Sequence, residues 1–421
     1  MVSLMLFSIF FILLALGVPV AFAISLAGLG IVLYTGLPLA VFVQRMYTGL
    51  DSFPLMAIPL LMLAGTLMGH GGITKRIVDF SLTFIGNVRG SLAHVVAVSG
   101  IVLGSISGSG VANTAALGSI LLPEMNERGY EKGFSAALVA TSGINGLIIP
   151  PSLAIIIYAV TAGVSIGSMF MAALIPGVLI GVLVIVYSWW FARKYDYPRE
   201  ARATAKEKWQ SFKKSIWALI MPILLIGGIY GGVFTPTEAG AVVSFYAFII
   251  GMFVYREIKI KDIPIICIEA AISTATISLI VAGTSLFGWI LTIEQIPQQI
   301  SQLVLGITDN PVILLLIINA FMLLIGMFLD SGPKIMIFVP IFAPIAANLG
   351  MNLIQFGVIV VVNAAIGLLT PPVGTGLFVA SSVSGVPIGK IVKSALPFFA
   401  IMFFVLMLVT FFPPLTMWVL S

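Results

Sequence analysis

Gly146 to Ala154 reads GLIIPPSLA, and 221 positions later Gly367 to Thr375 reads GLLTPPVGT. Both stretches lie inside runs apolar enough to cross a membrane, where a helix must satisfy its own hydrogen bonds because lipid supplies none. Proline has no amide hydrogen and its ring clashes with the preceding turn, so each Pro-Pro pair breaks a helix at bilayer depth. The carbonyls left over are tolerated there only if they are buried in protein or line a wet cavity. Carbonyl and hydroxyl oxygens serve a small hard cation well, so each break is a candidate cage for a coupling ion such as sodium.

The rest of the chain supports that setting. Of 421 residues, 60 % are hydrophobic and 8 % charged, and continuous apolar runs recur from end to end. These features predict an all-α polytopic membrane protein and argue against an outer-membrane barrel, whose strands alternate in ten-residue segments. The net charge of +5 does not indicate nucleic acid, because the cations gather in short loops and set membrane orientation. The single cysteine, Cys267, forms no internal disulfide and reads as filler. The first segment lacks a basic start and is read as a retained helix.

Arg193 to Lys214 holds eight Lys/Arg and three Asp/Glu and is expected to be a cytoplasmic linker between two halves, 1–192 and 215–421. A shift of 221 superposes Pro123 on Pro344, Gly146 on Gly367 and the two proline pairs on each other; a shift of 218 superposes Ala64-Gly65-Thr66 on Ala282-Gly283-Thr284. The flank Glu124 to Gly133 is charged, while its counterpart Ile345 to Leu353 carries no charge. Opposite sidedness follows, which is the inverted-topology repeat of secondary transporters.

In that reading, residues 3 to 17 and 19 to 34 are helices, an arm runs to Asp51, and 54 to 70 returns inward. An amphipathic segment over 75 to 89 precedes a re-entrant hairpin over about 91–125, with its tip at Gly104 to Asn113. A broken helix covers about 134–160, and 168 to 192 leads to the linker. The second half repeats the plan: 215 to 233, 236 to 255, an arm, 273 to 292, a hairpin over about 311–347 with its tip at Gly326 to Lys334, a broken helix over about 354–383, and 395 to 419. Both termini are expected on the periplasmic side.

Ionisable groups inside spans are functional candidates. Asp330 and Lys334 are expected to pair with each other, with an anionic substrate as the alternative partner of Lys334. Glu238 is read either as a helix start beside Thr237 or as an ion or proton site. Arg45 is expected to anchor the first arm, and His70 and His94 to be structural. Half-helix N-termini near the breaks would present positive dipole ends to an anion.

The stretches GSISGSGVANTAALGSILLPEM, GLIIPPS, GGVFTPTEAGA and GLLTPPVGTGLFV resemble the large membrane subunit of tripartite ATP-independent periplasmic (TRAP) transporters of the dicarboxylate and sialic acid type, over nearly the whole length. The resemblance implies an elevator-type carrier in the bacterial inner membrane that takes up a small organic anion with sodium. It implies no organic cofactor and two partners, a periplasmic substrate-binding protein and a small four-helix membrane subunit, here expected as a separate chain. Carried over, Ser105, Ser107, Gly108, Ser109, Gly110 and Asn113 with Gly146 and Pro150 match the first ion region. Gly326, Asp330, Ser331 and Gly332 with Gly367, Thr370 and Gly374 match the second. Thr66, Asn145, Ser152, Thr284, Lys334 and Thr375 are further candidate ion or substrate contacts.

Two other classes compete. SISGSG loosely resembles the nucleophile loop of an intramembrane serine protease, but His94 lies on the same hairpin about two turns or more from the tip, out of reach as a base. A cation-proton antiporter or other ion transporter would be expected to carry carboxylates in its broken helices, and Gly146 to Pro151 and Gly367 to Pro372 have none.

Overall fold

The structure, a computed structural model, describes residues 2–199, 202–306 and 310–418. Positions 200 and 201 of the expected linker and position 419 of the last expected segment lie outside the described residues. The first half comprises α1 (Val2–Ala15), α2 (Val20–Tyr34), α3 (Leu39–Leu50), α4 (Ala57–His70), α5 (Ile73–Ile85), α6 (Ser91–Ser107), α7 (Gly110–Glu127), α8 (Lys132–Asn145), α9 (Leu153–Ala162) and α10 (Ile166–Lys194). The second comprises α11 (Ala205–Tyr230), α12 (Pro236–Ile249), α13 (Ile263–Ile293), α14 (Ile296–Leu305), α15 (Pro311–Gly326), α16 (Ser331–Asn348), α17 (Leu353–Leu368), α18 (Thr375–Ser384), α19 (Ile388–Phe411) and α20 (Pro414–Met417). Among the described residues no strand occurs, and seven helical stretches are long and apolar enough to cross a membrane.

Two boundaries depart from the sequence reading. The polar linker is helical from Ala205, because Thr204 and Glu207 form a capping box: the Glu207 amide donates to Thr204 Oγ1 at 3.2 Å and the Thr204 amide to Glu207 Oε2 at 2.7 Å. That reciprocal cap satisfies two otherwise orphaned donors, so α11 starts in polar sequence. The second arm and the 273 to 292 helix are one element of 31 residues, α13. No proline or glycine interrupts it between Pro264 and Gly283, so nothing ends the helix at the arm.

The core sits on the two broken helices. In α8 every residue from Gly133 to Asn145 is buried, and in α17 every residue from Gln355 to Leu368. A helix buried all round belongs at the centre of a bundle. Here α8 packs against α6, α7, α18 and α19, and α17 against α15, α16 and α19. An outer set of helices covers them: α2 lies on α1 and α13, α4 on α12, and α11 on α5. The amphipathic α3 packs along α13, where the Arg45 guanidinium lies 4.7 Å from the Trp289 ring centre, which gives the expected anchor a partner.

Candidate functional site

The first hairpin turns at Gly108, whose φ of +60° favours glycine. A side chain there would also meet the Pro151 carbonyl at 2.8 Å, so the tip seats directly on the first break. The Leu153 amide, at the far end of that break, donates to the Gly108 carbonyl at 3.3 Å. Below the tip, Ser107 Oγ donates to Asn113 Oδ1 at 2.7 Å and accepts from the Ser109 amide at 3.3 Å. Ser105 Oγ is turned back onto its own helix, at the Val102 carbonyl. Gly104 and Gly146 bring α6 and the break together so closely that a Cβ on Gly104 would lie 2.5 Å from Gly146 Cα. Ser152 caps α9 and donates to the Leu147 carbonyl, occupying one of the oxygens that the prolines strand. Asn145 Nδ2 donates to the Gly177 carbonyl of α10 at 3.0 Å. Its Oδ1 and Asn113 Nδ2 are buried with no hydrogen-bond partner among the described residues.

The second hairpin and break repeat this joint with other side chains. The Val373 amide donates to the Met327 carbonyl at 3.1 Å, as Leu153 does to Gly108. Gly367 lies against Gly326, where a Cβ on Gly367 would meet the Gly326 carbonyl oxygen at 2.7 Å. Thr370 Oγ1, within the break, donates to the Ile366 carbonyl in the last turn of α17 at 2.7 Å. Asp330 is the N-cap of α16 and accepts from the Ser331 amide at 2.7 Å.

The two joints share one cavity of about 240 Å3. Ser109 and Gly110 line it from the start of α7, Leu153 from the start of α9, Ser331 and Gly332 from the start of α16, and Thr375 from the start of α18. Four helix N-termini therefore converge on one space, each bringing amides not used inside its helix. Thr375 Oγ1 has no hydrogen-bond partner among the described residues. The cavity is closed on one side by Met62 of α4 and by Ile277, Ile280 and Val281 of α13. Among the described residues, Asp330 is the one charged residue that lines it.

Several expectations need correction. Asp330 and Lys334 do not pair: Lys334 is fully buried, and its Nζ donates to Asn363 Oδ1 of α17 at 2.7 Å. Nor does Lys334 line the cavity. Four residues along a helix brings two side chains to one face, but Asp330, as the cap, precedes the helical turn and faces its own amides. Of the two readings of Glu238, the structure shows the helix start: in a capping box with the N-cap Thr235, it accepts from the Thr235 amide and hydroxyl at 2.8 Å each. Thr237 donates instead to the Phe53 carbonyl. The matched Thr66 and Thr284 sit differently. Both hydroxyls donate to carbonyls of their own helices. However, Gly65 lies against Ser107 of the first hairpin while Gly283 lies against Ser25 of α2. His70 is held by Glu269 of α13 at 2.9 Å, and His94 is buried. Cys267 is exposed on α13.

Asn363 and Asn319 escaped the sequence reading, which drew its second-half candidates from ionisable groups, the hairpin tip, the Pro-Pro break and the repeated Ala-Gly-Thr triplet. Asn363 Nδ2 donates to the Asn319 carbonyl at 3.0 Å, and Asn319 Nδ2 reaches Thr410 Oγ1 at 3.3 Å. Neutral amides in the middle of apolar runs were the available signal, since a buried amide demands partners.

Comparison with known proteins agrees with this architecture. Residues 7–415 match the family described as "Tripartite ATP-independent periplasmic transporter, DctM component". The chain is 41 % identical over 414 residues to the isethionate TRAP transporter permease DctMQ of Oleidesulfovibrio alaskensis, covering 98 % of this chain and 65 % of that longer protein. It is 37 % identical to the 2,3-diketo-L-gulonate large permease YiaN of Escherichia coli, covering 95 % of each chain. It is also 37 % identical to the sialic acid large permease SiaM of Vibrio cholerae, covering 95 % of this chain and 94 % of the other. The crystal structure of the YdaH transporter of Alcanivorax borkumensis shares the fold, with a TM-score of 0.51 at 14 % identity over 88 % of each chain.

Proposed function

This chain belongs to the DctM component family of tripartite ATP-independent periplasmic transporters, a multi-pass permease subunit of the bacterial inner membrane, and we propose that it carries a small organic anion inward with sodium. The observation that supports this reading is the cavity between the hairpin tips. Four helix N-termini direct partial positive charge into it, while the one charged lining residue among the described residues is the carboxylate of Asp330. An anion drawn in by the helix ends meets that carboxylate, and a cation between the two would remove the repulsion. Sodium and anion would then raise each other's affinity by the same factor, which is the thermodynamic content of symport.

The chemistry suits a weakly held, exchangeable ion. The ligands offered are hydroxyls, amides and carbonyls of Ser107, Ser109, Asn113 and the first break, with the Asp330 carboxylate lining the same cavity. The cavity, about 240 Å3, has room for a small organic acid such as a C4-dicarboxylate or a short sulfonate. The hairpins and broken helices would move as one body past α4 and α13, in the manner of an elevator. The two halves of the chain would stand inverted in the bilayer. A periplasmic binding protein would deliver the anion and a small four-helix subunit would brace the outer helices. The relatives are transporter permeases, which sets aside the protease reading of SISGSG.

The test is reconstitution of the permease with its small subunit in proteoliposomes. Uptake should rise with an inward sodium gradient and require the binding protein. Equal uptake when choline replaces sodium would reject sodium coupling, and uptake of free substrate without any binding protein would reject the tripartite reading.

A further inference from the structure

We propose that Lys334 is a resident cation of the second hairpin, standing where the first half uses the neutral Asn113, so that the second joint takes no sodium ion of its own. This rests on the sodium-coupled reading above. The shift of 221 that superposes Gly146 on Gly367 and the proline pairs on each other also superposes Asn113 on Lys334. The structure puts both at the same place in their halves, at the crossing of two close glycines. A Cβ on Gly146 would lie 2.2 Å from Asn113 Nδ2, and a Cβ on Gly326 would lie 2.8 Å from Lys334 Nζ.

The Lys334 amine donates to one neutral side-chain oxygen, Asn363 Oδ1, and lies beside two helix ends. Asn363 presents Oδ1 to the amine because its Nδ2 is committed to Asn319. Among the described residues no carboxylate forms an ion pair with Lys334, so the charge is not cancelled by a side chain. Helices α15 and α17 end nearby, at Gly326 and Leu368, and helix C-termini carry partial negative charge that favours a cation. The residue has no exposed surface and does not line the cavity, so it is no substrate ligand. In the first half the corresponding joint holds Ser107 and Asn113, hydrogen-bonded to each other, with Asn113 Nδ2 lacking a partner among the described residues. One joint is thus equipped with neutral oxygen donors, the other with a tethered ammonium.

The experiment compares the purified complex of permease and small subunit, wild type against Lys334→Asn, Lys334→Arg and Asn113→Lys, in sodium chloride and choline chloride at constant ionic strength. Stability plotted against the logarithm of sodium concentration has a slope that counts bound ions. Lys334→Asn should steepen it by about one ion, Lys334→Arg should leave it unchanged, and Asn113→Lys should flatten it by about one ion. In proteoliposomes the reversal potential for substrate should show one further sodium per substrate in Lys334→Asn. A slope that Lys334→Asn leaves as in the wild type overturns the proposal and makes Lys334 a packing residue. If Lys334→Asn does not fold, the reciprocal Asn113→Lys decides, and an unaltered slope there overturns the proposal equally. Absence of any sodium slope in the wild type would instead strike the sodium-coupled reading itself.

Discussion

In the first half every residue from Gly146 to Ser152 is buried, whereas in the second Pro371, Pro372 and Val373 are exposed. The two breaks share their glycine and prolines, so the difference comes from what covers them. Helix α10 lies across the first: a Cβ on its Gly177 would lie 2.8 Å from Ile149 Cγ1, and its Gly177 carbonyl takes the Asn145 amide. Among the described residues the second has no comparable cover, and Phe328 and Asp330 of the neighbouring tip are exposed as well. A buried break must satisfy its backbone inside the protein, which is the role of Ser152 in the first half. An exposed break can leave the same groups to water. Equal motifs therefore need not mean equal sites, and the first joint is the dry one.

That contrast can be broken or sharpened by substitution. The largest effect is expected for Asn363→Leu, which takes the side-chain acceptor from the buried Lys334 amine and the side-chain donor from the Asn319 carbonyl together. A loss of about 3 kcal/mol is expected, with no fall of that size for an Asn-to-Leu change at the exposed Asn310, and thermal unfolding of the complex in detergent measures it. Next comes Gly367→Ala, whose new methyl would meet three Gly326 backbone atoms at 2.7 to 2.8 Å. About 2 kcal/mol and most of the uptake should be lost. Gly146→Ala should cost somewhat less, because its methyl would meet one backbone atom under 3 Å, Gly104 Cα at 2.8 Å, and its other such contact, Asn113 Nδ2, ends a side chain; melting the pair side by side checks the order.

Ser152→Ala removes a cap and leaves the buried Leu147 carbonyl without its donor. About 1 to 2 kcal/mol is expected, and Thr370→Ala, whose hydroxyl only returns to the last turn of α17, should cost less under the same conditions. The smallest effect on stability is expected for Thr375→Val, which keeps the shape and removes a hydroxyl with no protein partner. Its melting point should stay within the change of a surface substitution, about 0.5 kcal/mol, while the substrate concentration for half-maximal uptake rises several-fold. An unaltered transport curve would remove Thr375 from the substrate site.

Much of the molecule was legible in the chain. Two prolines in an apolar run force a break wherever the helix lies, and the chain is interrupted there between α8 and α9 and between α17 and α18. The short tips at Gly108 and Asp330 followed from glycine-rich turns between apolar segments. Less legible was the pairing of polar groups. Asp330 and Lys334 have helical spacing, yet one caps the helix while the other reaches 29 positions along the chain to Asn363. The matched Thr66 and Thr284 illustrate the same limit: identical triplets, one seated against a hairpin and the other against α2.

The amino-acid order by itself determined the solvent of this protein, its helices, their breaks and the duplication, because each depends on hydrogen bonding and apolarity within a turn or two of chain. Only the tertiary structure decided that the far piece of each broken helix packs on the other half, α9 on α16 and α18 on α7 and α8. That crossing gathers four helix starts around one space and buries one Pro-Pro pair while exposing its twin. Such outcomes are set by contacts between segments up to 200 or more positions apart, and their energies belong to the assembled bundle rather than to any stretch of sequence.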